Sequence, residues 1–408
     1  MQAYILKDSR AYYRAIAALF AGSLVSFAVL YCTQPLLPVF SREFQLSPSW
    51  ASLSVSLPTG AMALSMLLVA GLSDRIGRKR TMAIALGGAS LLTLASAFVN
   101  DFNHLLFFRA LQGVLLAGFP SIAMAYVNEE FDPSITGLVM GIYVSGTSIG
   151  GLAGRLAVSA ITDHFSWQLA LGSLGLLTLL ASLGFWLALP NSQRFQASPK
   201  PPRQLALALL RLLQNRVLLS LYAIGFAIMG SFVTLYNYIG YPLLAPPYSL
   251  SQTAIGALFF LYLVGTFSST YMGRQADQLG HSRILCRSLS IMLVGALATL
   301  LSPLFLKLTG LAVFTFGFFA SHSVVSSWIG KCAAQDKAQA SSLYLLFYYL
   351  GASVIGGAGG FFLHRWNWPG VIFLAAFVLS LAFAVSFFLL RQEKSAAIQA
   401  SSPLSVES

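Results

Sequence analysis

Twelve apolar stretches limit this chain more than any other feature, because each is about twenty residues long, the length a helix needs to cross a bilayer core. They cover roughly 14–39, 51–70, 81–99, 104–127, 136–159, 168–189, 217–241, 253–272, 288–306, 308–329, 340–363 and 370–390. Of the 408 residues, 57% are hydrophobic and 9% charged, against about 25% charged in an ordinary soluble domain. A soluble core would show shorter apolar stripes broken by charged faces. The expected fold class is an all-α membrane protein with twelve transmembrane helices, and the lipid bilayer is its first partner.

The net charge of +12 would raise nucleic acid as a partner of a soluble protein. Here the charge sits in short loops on one side, as the positive-inside rule requires, and no basic–aromatic pattern accompanies it. With both termini cytoplasmic, only Arg42, Lys307 and Arg365 of the 24 Lys/Arg fall in outer loops, and only Arg109 and Arg155 lie inside spans. The basic start Met1–Arg14 is like the head of a signal peptide. Its apolar run continues past Leu30 into Pro35-Leu-Leu-Pro38 without a small-residue cleavage site, so it reads as an uncleaved first helix. Cys32, Cys286 and Cys332 have neither metal nor disulfide spacing. No metal and no cofactor is expected.

The chain is built twice. The charged turn Ala70–Arg80 (A-G-L-S-D-R-I-G-R-K-R) returns as Gly273–Arg283 (G-R-Q-A-D-Q-L-G-H-S-R), with Asp74 matching Asp277 and Gly77 matching Gly280 at an offset of 203. Ser26–Tyr31 returns as Ser231–Tyr236 at an offset of 205, and Gly150-Gly151-x-x-Gly154 returns as Gly356-Gly357-x-x-Gly360 at 206. The expected organisation is a six-helix half over 1–189, a cytoplasmic linker over 190–216, a second six-helix half over 217–390 and a disordered cytoplasmic tail over 391–408. The linker, Pro-broken at P-K-P-P-R, is expected to form an amphipathic helix from Gln204 to Asn215. Ser47-Pro48 and Asp132-Pro133 each put a capping side chain before a Pro at a first helical position. Parallel six-helix repeats with a substrate site between them near the midplane are a transporter plan.

Leu72, Asp74, Arg75, Gly77, Arg78 and Lys79 resemble the loop 2–3 signature of the major facilitator superfamily, with Ala70 in place of its first Gly. Arg109, Gln112 and Gly113 resemble its span-four signature. Gly141, Gly146, Gly150, Gly151 and Gly154 partly resemble the antiporter signature of its drug:proton antiporter branch, but lack that signature's Gly-Pro pair, which counts against antiport. The resemblance covers the whole chain and is nearest to YnfM-type and arabinose-efflux-type permeases, largely proton-driven bacterial exporters. It implies the major facilitator fold, a bacterial plasma (inner) membrane location, a monomer and no enzymatic activity. It also places Asp74 against the start of span eleven, near Ala338–Ser342, while the cytoplasmic side is closed, and associates Arg109 with proton coupling.

A carboxylate at a helix N-terminus meets unpaired N–H groups and the positive helix end. Asp74 there would favour one of two states, as a switch must. Gly77 permits the turn. Arg75 and Arg78 need acids, and Glu129, Glu130 and Asp132 form the one acidic cytoplasmic loop, so Arg78 is expected to pair with Glu129 or Glu130. Asp277, Gly280 and Arg283 complete a second, weaker gate. The bland alternative is that these charges only set topology.

The ionisable groups placed well inside spans are Arg109, Arg155 and His322, with no Asp or Glu beside them. Buried charge in a bilayer is costly and usually functional. Either arginine can meet an anionic or strongly polar substrate, or be satisfied structurally by carbonyls and polar groups of span one such as Gln34. His322 is a candidate proton carrier, or a hydrogen-bonded packing residue. Asp163 is expected to be solvated. Gln34, Gln112, Tyr236, Asn237 and Tyr348 complete the candidate substrate and proton pathway, as polar and aromatic groups able to stack on and bond an organic molecule. Tyr241 and Tyr344 are expected to pack. The glycine runs at Gly146–Gly154 and Gly356–Gly360 are expected to let helices approach and slide.

No nucleotide-binding loop or catalytic constellation is present in the sequence. The leading expectation is a secondary-active, proton-coupled exporter of a small organic molecule such as a drug, sugar or metabolite. The alternatives are a proton-coupled importer of an organic anion and, more remotely, a non-transporting membrane sensor.

Overall fold

The computed structural model describes residues 4–194, 202–333 and 337–401. Each of the twelve expected spans coincides with a helix, but the ninth, expected over 288–306, ends at Ala298, and 299–303 form the turn into the tenth. The helices are α1 (Arg10–Glu43), α2 (Pro48–Ile76), α3 (Arg78–Ala95), α4 (Phe102–Glu130), α5 (Thr136–His164), α6 (Trp167–Ala188), α7 (Arg216–Leu244), α8 (Gln252–Leu279), α9 (His281–Ala298), α10 (Leu304–Cys332), α11 (337–365) and α12 (368–401). Among the described residues, ten stretches are long and apolar enough to cross a membrane. One of them, Gln339–Arg391, holds both α11 and α12. Trp366 (φ −133°, ψ 17°) and Asn367 (φ 52°, ψ −152°) leave the helical region and divide it. The apolarity of α9 is lowered by His281, Arg283 and Arg287 in its first two turns.

Local chemistry sets the helix starts. Ser47 accepts the N–H of Trp50 at 3.4 Å, and Ser251 accepts that of Ala254 at 3.2 Å. These two caps are 204 residues apart, within the spread of the repeat offsets. Asp132 does not cap α5 as expected: the helix starts later, at Thr136, with Ile135 at the cap position. The Asp132 carboxylate turns back to the hydroxyl (2.6 Å) and N–H (2.9 Å) of Ser134. Those bonds hold its pKa below the usual carboxylate value.

A helix over Pro202–Gln214 stands where the linker was expected to become amphipathic, and residues 195–201 of the linker lie outside the described set. Helix also continues to Ser401, past Arg391 where an unstructured tail was expected. Lys394-Ser-Ala-Ala-Ile-Gln-Ala carries several good helix formers. Residues 402–408 lie outside the described set.

The described residues form two compact units. Unit 1 takes Met1–Leu205, Val233–Tyr262 and Ala352–Val371; unit 2 takes Ala206–Phe232, Leu263–Gly351 and Ile372–Ser408. In unit 1, α1 packs on α5 and α6, α2 on α4, α3 on α6, and the start of α8 on α5. α1 and α5 touch backbone to backbone. A Cβ built on Gly150 would lie 2.3 Å from the Leu24 carbonyl oxygen, and one on Gly154 would lie 2.7 Å from Ala28 Cα. In unit 2 α9 packs on α10, and Phe232 stacks on Phe318 with centroids 3.7 Å apart.

Arg109, on α4, fastens unit 1. The first helical stretch of α1 ends at Tyr31, ahead of a 3-10 turn over Gln34–Leu36 and a further helix over Leu37–Glu43, so its last carbonyls have no intrahelical partner. In α2, Pro58 has no N–H to give Ser54 four residues back. One guanidinium takes the acceptors left over. Its Nε donates to the Ser54 carbonyl at 2.8 Å, and its Nη atoms donate to the carbonyls of Val29 (2.9 Å) and Leu30 (2.5 Å) and to Gln112 Oε1 (2.6 Å). Gln112 Nε2 carries the connection to Thr93 of α3 at 2.9 Å. Four helices therefore meet at Arg109, which is 1% exposed.

Two stability predictions follow from this geometry. Gly77 and Gly280, matched in the repeat, both hold positive φ (91° and 94°) with extended ψ (151° and 140°), a region that residues with a Cβ avoid. Gly77→Ala should cost about 1–3 kcal/mol and lower the thermal midpoint of purified protein. Gly87→Ala, where a Cβ meets open space, should leave the midpoint unchanged or raise it. Arg109→Leu should destabilise by at least about 3 kcal/mol, since each orphaned buried acceptor costs roughly 1–3 kcal/mol. The corresponding readout is loss of monodisperse protein on extraction.

Candidate functional site: a buried arginine between two gates

Unit 1 has two ends, separated by the 29-residue α2, roughly 43 Å at 1.5 Å per residue. At one end lies the Asp74–Gly77 turn. Arg78 donates to Asp74 Oδ1 (2.9 Å) and Ser73 Oγ (3.0 Å) through Nη1. It also grips Glu129 with two bonds, Nη2 to Oε1 at 2.9 Å and Nε to Oε2 at 3.2 Å. The expected Arg78–Glu129 pair is thus present and bidentate, the strong form of this interaction. Glu130 does not join it. That carboxylate is 2% exposed and accepts the N–H of Arg194 at 2.9 Å. Arg75 is exposed and makes no ion pair among the described residues. The expected counterpart of Asp74, Ala338–Ser342, belongs to unit 2; within unit 1 the Asp74 carboxylate is held by Arg78.

At the other end, segments of both repeats are joined. Asp163, at the last turn of α5, accepts the N–H of Gln252 (3.2 Å) and both the N–H (3.1 Å) and hydroxyl (2.6 Å) of Thr253 at the start of α8. Asp163 is exposed as expected, but it is bound rather than merely solvated. Gln252 Nε2 donates to the Pro35 carbonyl at 2.6 Å. The Tyr241 hydroxyl bonds Ser41 at 2.7 Å and donates to the Leu37 carbonyl at 3.0 Å. Ser353 donates to the Ser56 carbonyl at 2.7 Å, and the bare face of Gly360 abuts the backbone of Ser49.

Beneath this end lies Arg155, 3% exposed. Its Nε donates to Gln34 Oε1 at 2.7 Å and its Nη1 to the Gly151 carbonyl at 2.7 Å. The guanidinium carbon is 4.5 Å from the ring centres of both Tyr31 and Phe259, and 5.3 Å from that of Tyr262. Desolvated contacts of this kind reach roughly 2 kcal/mol each. Gln34 Nε2 donates onward to Asn237 Oδ1 at 2.8 Å, joining α1 to α7. Tyr236 stacks on Phe259 with centroids 5.4 Å apart.

The structure therefore brings together Arg155, Gln34, Asn237 and Tyr236 from the expected pathway, and a separate group of Arg109 and Gln112. The two arginines engage different turns of α1. His322 and Tyr348 are in unit 2, their rings 4.9 Å apart. His322 is half-buried, its Nδ1 lies 2.6 Å from the hydroxyl of buried Tyr344, and its ring stacks on Phe318.

The second charged turn has a basic partner from another helix. Asp277 is held by Lys331 of α10 at 2.8 Å, while Arg283 is exposed. Of the packing glycines, Gly146, Gly150 and Gly154 face α1, and Gly151 supplies a carbonyl to Arg155. Gly356 lies against Val233, and Gly357 near Ser56.

Sequence reading missed Asp163 as a helix tie, Gln252, Lys331 and the rings of Phe259 and Tyr262 that join Tyr31 around Arg155. The Ser47/Ser251 match was a usable signal for the α8 start. The rings carried none, because aromatic residues abound in every span.

The matching family model is that of the Major Facilitator Superfamily, over residues 19–242 and 236–405. The chain is 45% identical over 391 residues to an uncharacterized MFS-type transporter, YybF, of Bacillus subtilis, covering 96% of this chain and 97% of the relative. It is 43% identical over 382 residues to the inner membrane transport protein YnfM of Escherichia coli, covering 94% and 92%. Among solved structures, a bacterial homologue of the human lysosomal transporter Spinster, inward-facing and occupied, superposes with a TM-score of 0.72 at 17% identity, covering 94% of this chain and 95% of that one. Helix pattern, repeat and kinship agree: the chain belongs to the major facilitator superfamily and is a multi-pass membrane transporter.

Proposed function

We propose that this transporter is a secondary-active exporter that exchanges a small organic solute for protons by alternating access. One observation carries the alternating-access part of the reading: pieces of both repeats are tied at the Asp163 end of unit 1, above the buried Arg155. Those ties (Asp163 to Gln252 and Thr253, Tyr241 to Ser41, Gln34 to Asn237) are hydrogen bonds between side chains and short segments, which can break and re-form without unfolding a helix. The Asp74 end has its own charged turn. We assign the Asp163 end to the outside and the Asp74 end to the cytoplasm, from the distribution of Lys and Arg.

In this scheme Arg109 is a structural pin, since its donors are met by protein acceptors, and Arg155 belongs to the solute path. His322 carries the proton, and the Tyr344 hydroxyl orients its imidazole. The six-helix halves 1–189 and 217–390 move as the two bodies of the cycle, joined by the linker. A second reading, import of an organic anion, is favoured by the unpaired charge of Arg155 and differs from the first in direction.

Everted vesicles containing the protein should accumulate an exported compound when their interior is acid, and His322→Asn should remove the dependence on the pH gradient. Accumulation only under the opposite gradient would support import, and movement unaffected by any gradient would rule out proton coupling. Asp163→Ala should loosen the outer end. With the native cysteines replaced, a cysteine at position 236 should then react several-fold faster with an impermeant maleimide added outside. An unchanged rate would remove Asp163 from the gate.

A further inference from the structure

We infer that Arg155 and Asn237 together receive the oxyanion of the carried solute, and that this solute is a monocarboxylate on an aromatic or apolar body. The inference rests on placing Arg155 in the solute path, and it is decided by the direction of the hydrogen bonds.

A guanidinium only donates. Its Nε–H goes to Gln34 Oε1, which fixes that end of the Gln34 amide as acceptor and the other as donor. Gln34 Nε2 then donates to Asn237 Oδ1, which fixes the second amide in the same sense. The relay ends on Asn237 Nδ2, a donor buried with no hydrogen-bond partner, on a residue that is 1% exposed. A buried donor left without an acceptor is costly and calls for a partner. Gly356 presents no side chain to it, and a Cβ there would stand 3.7 Å from Nδ2.

The other end of the relay is also short of an acceptor. Rings of Tyr31 and Phe259 engage the guanidinium. Their centres lie 4.5 Å from its carbon, and an aromatic ring supplies no lone-pair acceptor to an N–H. Nε and Nη1 are used, whereas Nη2 makes no hydrogen bond among the described residues. No carboxylate pairs with Arg155 among the described residues. The missing component is thus an acceptor at each end of a chain carrying one positive charge. A monoanion satisfies both requirements. A cation would be repelled, and a neutral amide would leave the charge unbalanced. The rings of Tyr236 and Tyr262, 5.0 Å apart by centroids, extend the cage with aromatic surface for the remainder of the molecule.

The test uses full-length purified protein and four acids: benzoate, 4-hydroxybenzoate, phenylacetate and cinnamate, each beside its primary amide. Binding is read by calorimetry. At least one acid should bind, with its amide at least tenfold weaker. Arg155→Gln should weaken that acid at least tenfold, and Arg155→Lys should restore part of the loss. Asn237→Asp, which sets a carboxylate against the ligand, should also weaken it more than tenfold. Each variant is checked for monodispersity and an unshifted unfolding midpoint.

Equal binding of acid and amide, no effect of Arg155→Gln, or no binding by any of the four acids would overturn the assignment. Transport is scored separately in proteoliposomes. An acid that binds with this residue dependence but is not carried keeps the oxyanion site and contradicts its place in the transport path. A neutral solute carried equally by wild type and Arg155→Gln keeps transport and removes the site.

Discussion

Backbone carbonyls that their own helices cannot satisfy meet one guanidinium, and the architecture of unit 1 depends on that meeting. The first helical stretch of α1 stops at Tyr31 and Pro58 interrupts the ladder of α2. In a lipid environment such carbonyls have no water to fall back on, so breaks are tolerated only where the protein refills them. Arg109 refills both at once, holding Val29, Leu30 and Ser54. A lysine, with a compact ammonium in place of a planar fork, could not span the same acceptors. The break in α1 also supplies the irregular backbone from which Gln34 and Pro35 reach the α7 and α8 segments.

Arg155 is the same residue type in a different electrostatic situation. Aromatic rings and one side-chain amide hold it, where Arg109 has carbonyls. Rings stabilise a cation without neutralising it, so the charge remains available to a ligand. The ties at the Asp163 end lie directly over this cluster, and several involve the same short stretch, Gln34–Leu37. In the proposed cycle, occupancy at Arg155 would be coupled to closure of that end through α1. The coupling needs no long pathway, because Gln34 bonds Arg155 and Asn237 directly, and Asn237 belongs to the other repeat.

Much of this was legible in the sequence because lipid imposes so strict a rule. Runs of about twenty apolar residues in a bilayer have almost no alternative to helix, so every span was found, and the repeat offsets gave the duplication. The Arg78–Glu129 pair was legible as the meeting of a basic turn with the one acidic loop. The Arg109 clamp was half legible: an arginine far from any acid left a substrate or backbone carbonyls as its partners, and the choice depended on where the first stretch of α1 ended and on the missing N–H of Pro58. Asp163 was misjudged because solvation and helix capping look identical until the neighbouring helix is placed. The cap at Asp132 failed for a local reason, since Ser134 offers two donors within the turn. The aromatic cage was hidden because rings from α1 and α8 converge only in three dimensions.

The central claim is a division of labour between two buried arginines, one consumed by the fold and one held for a ligand. Arginine-selective labelling with p-hydroxyphenylglyoxal on membrane-embedded protein, mapped by mass spectrometry, addresses it directly. Arg155 should be modified slowly as the transporter cycles and should be protected by a bound solute, while Arg109 stays unmodified until the protein unfolds. Modification of both at comparable rates, or of Arg109 alone, would contradict the account.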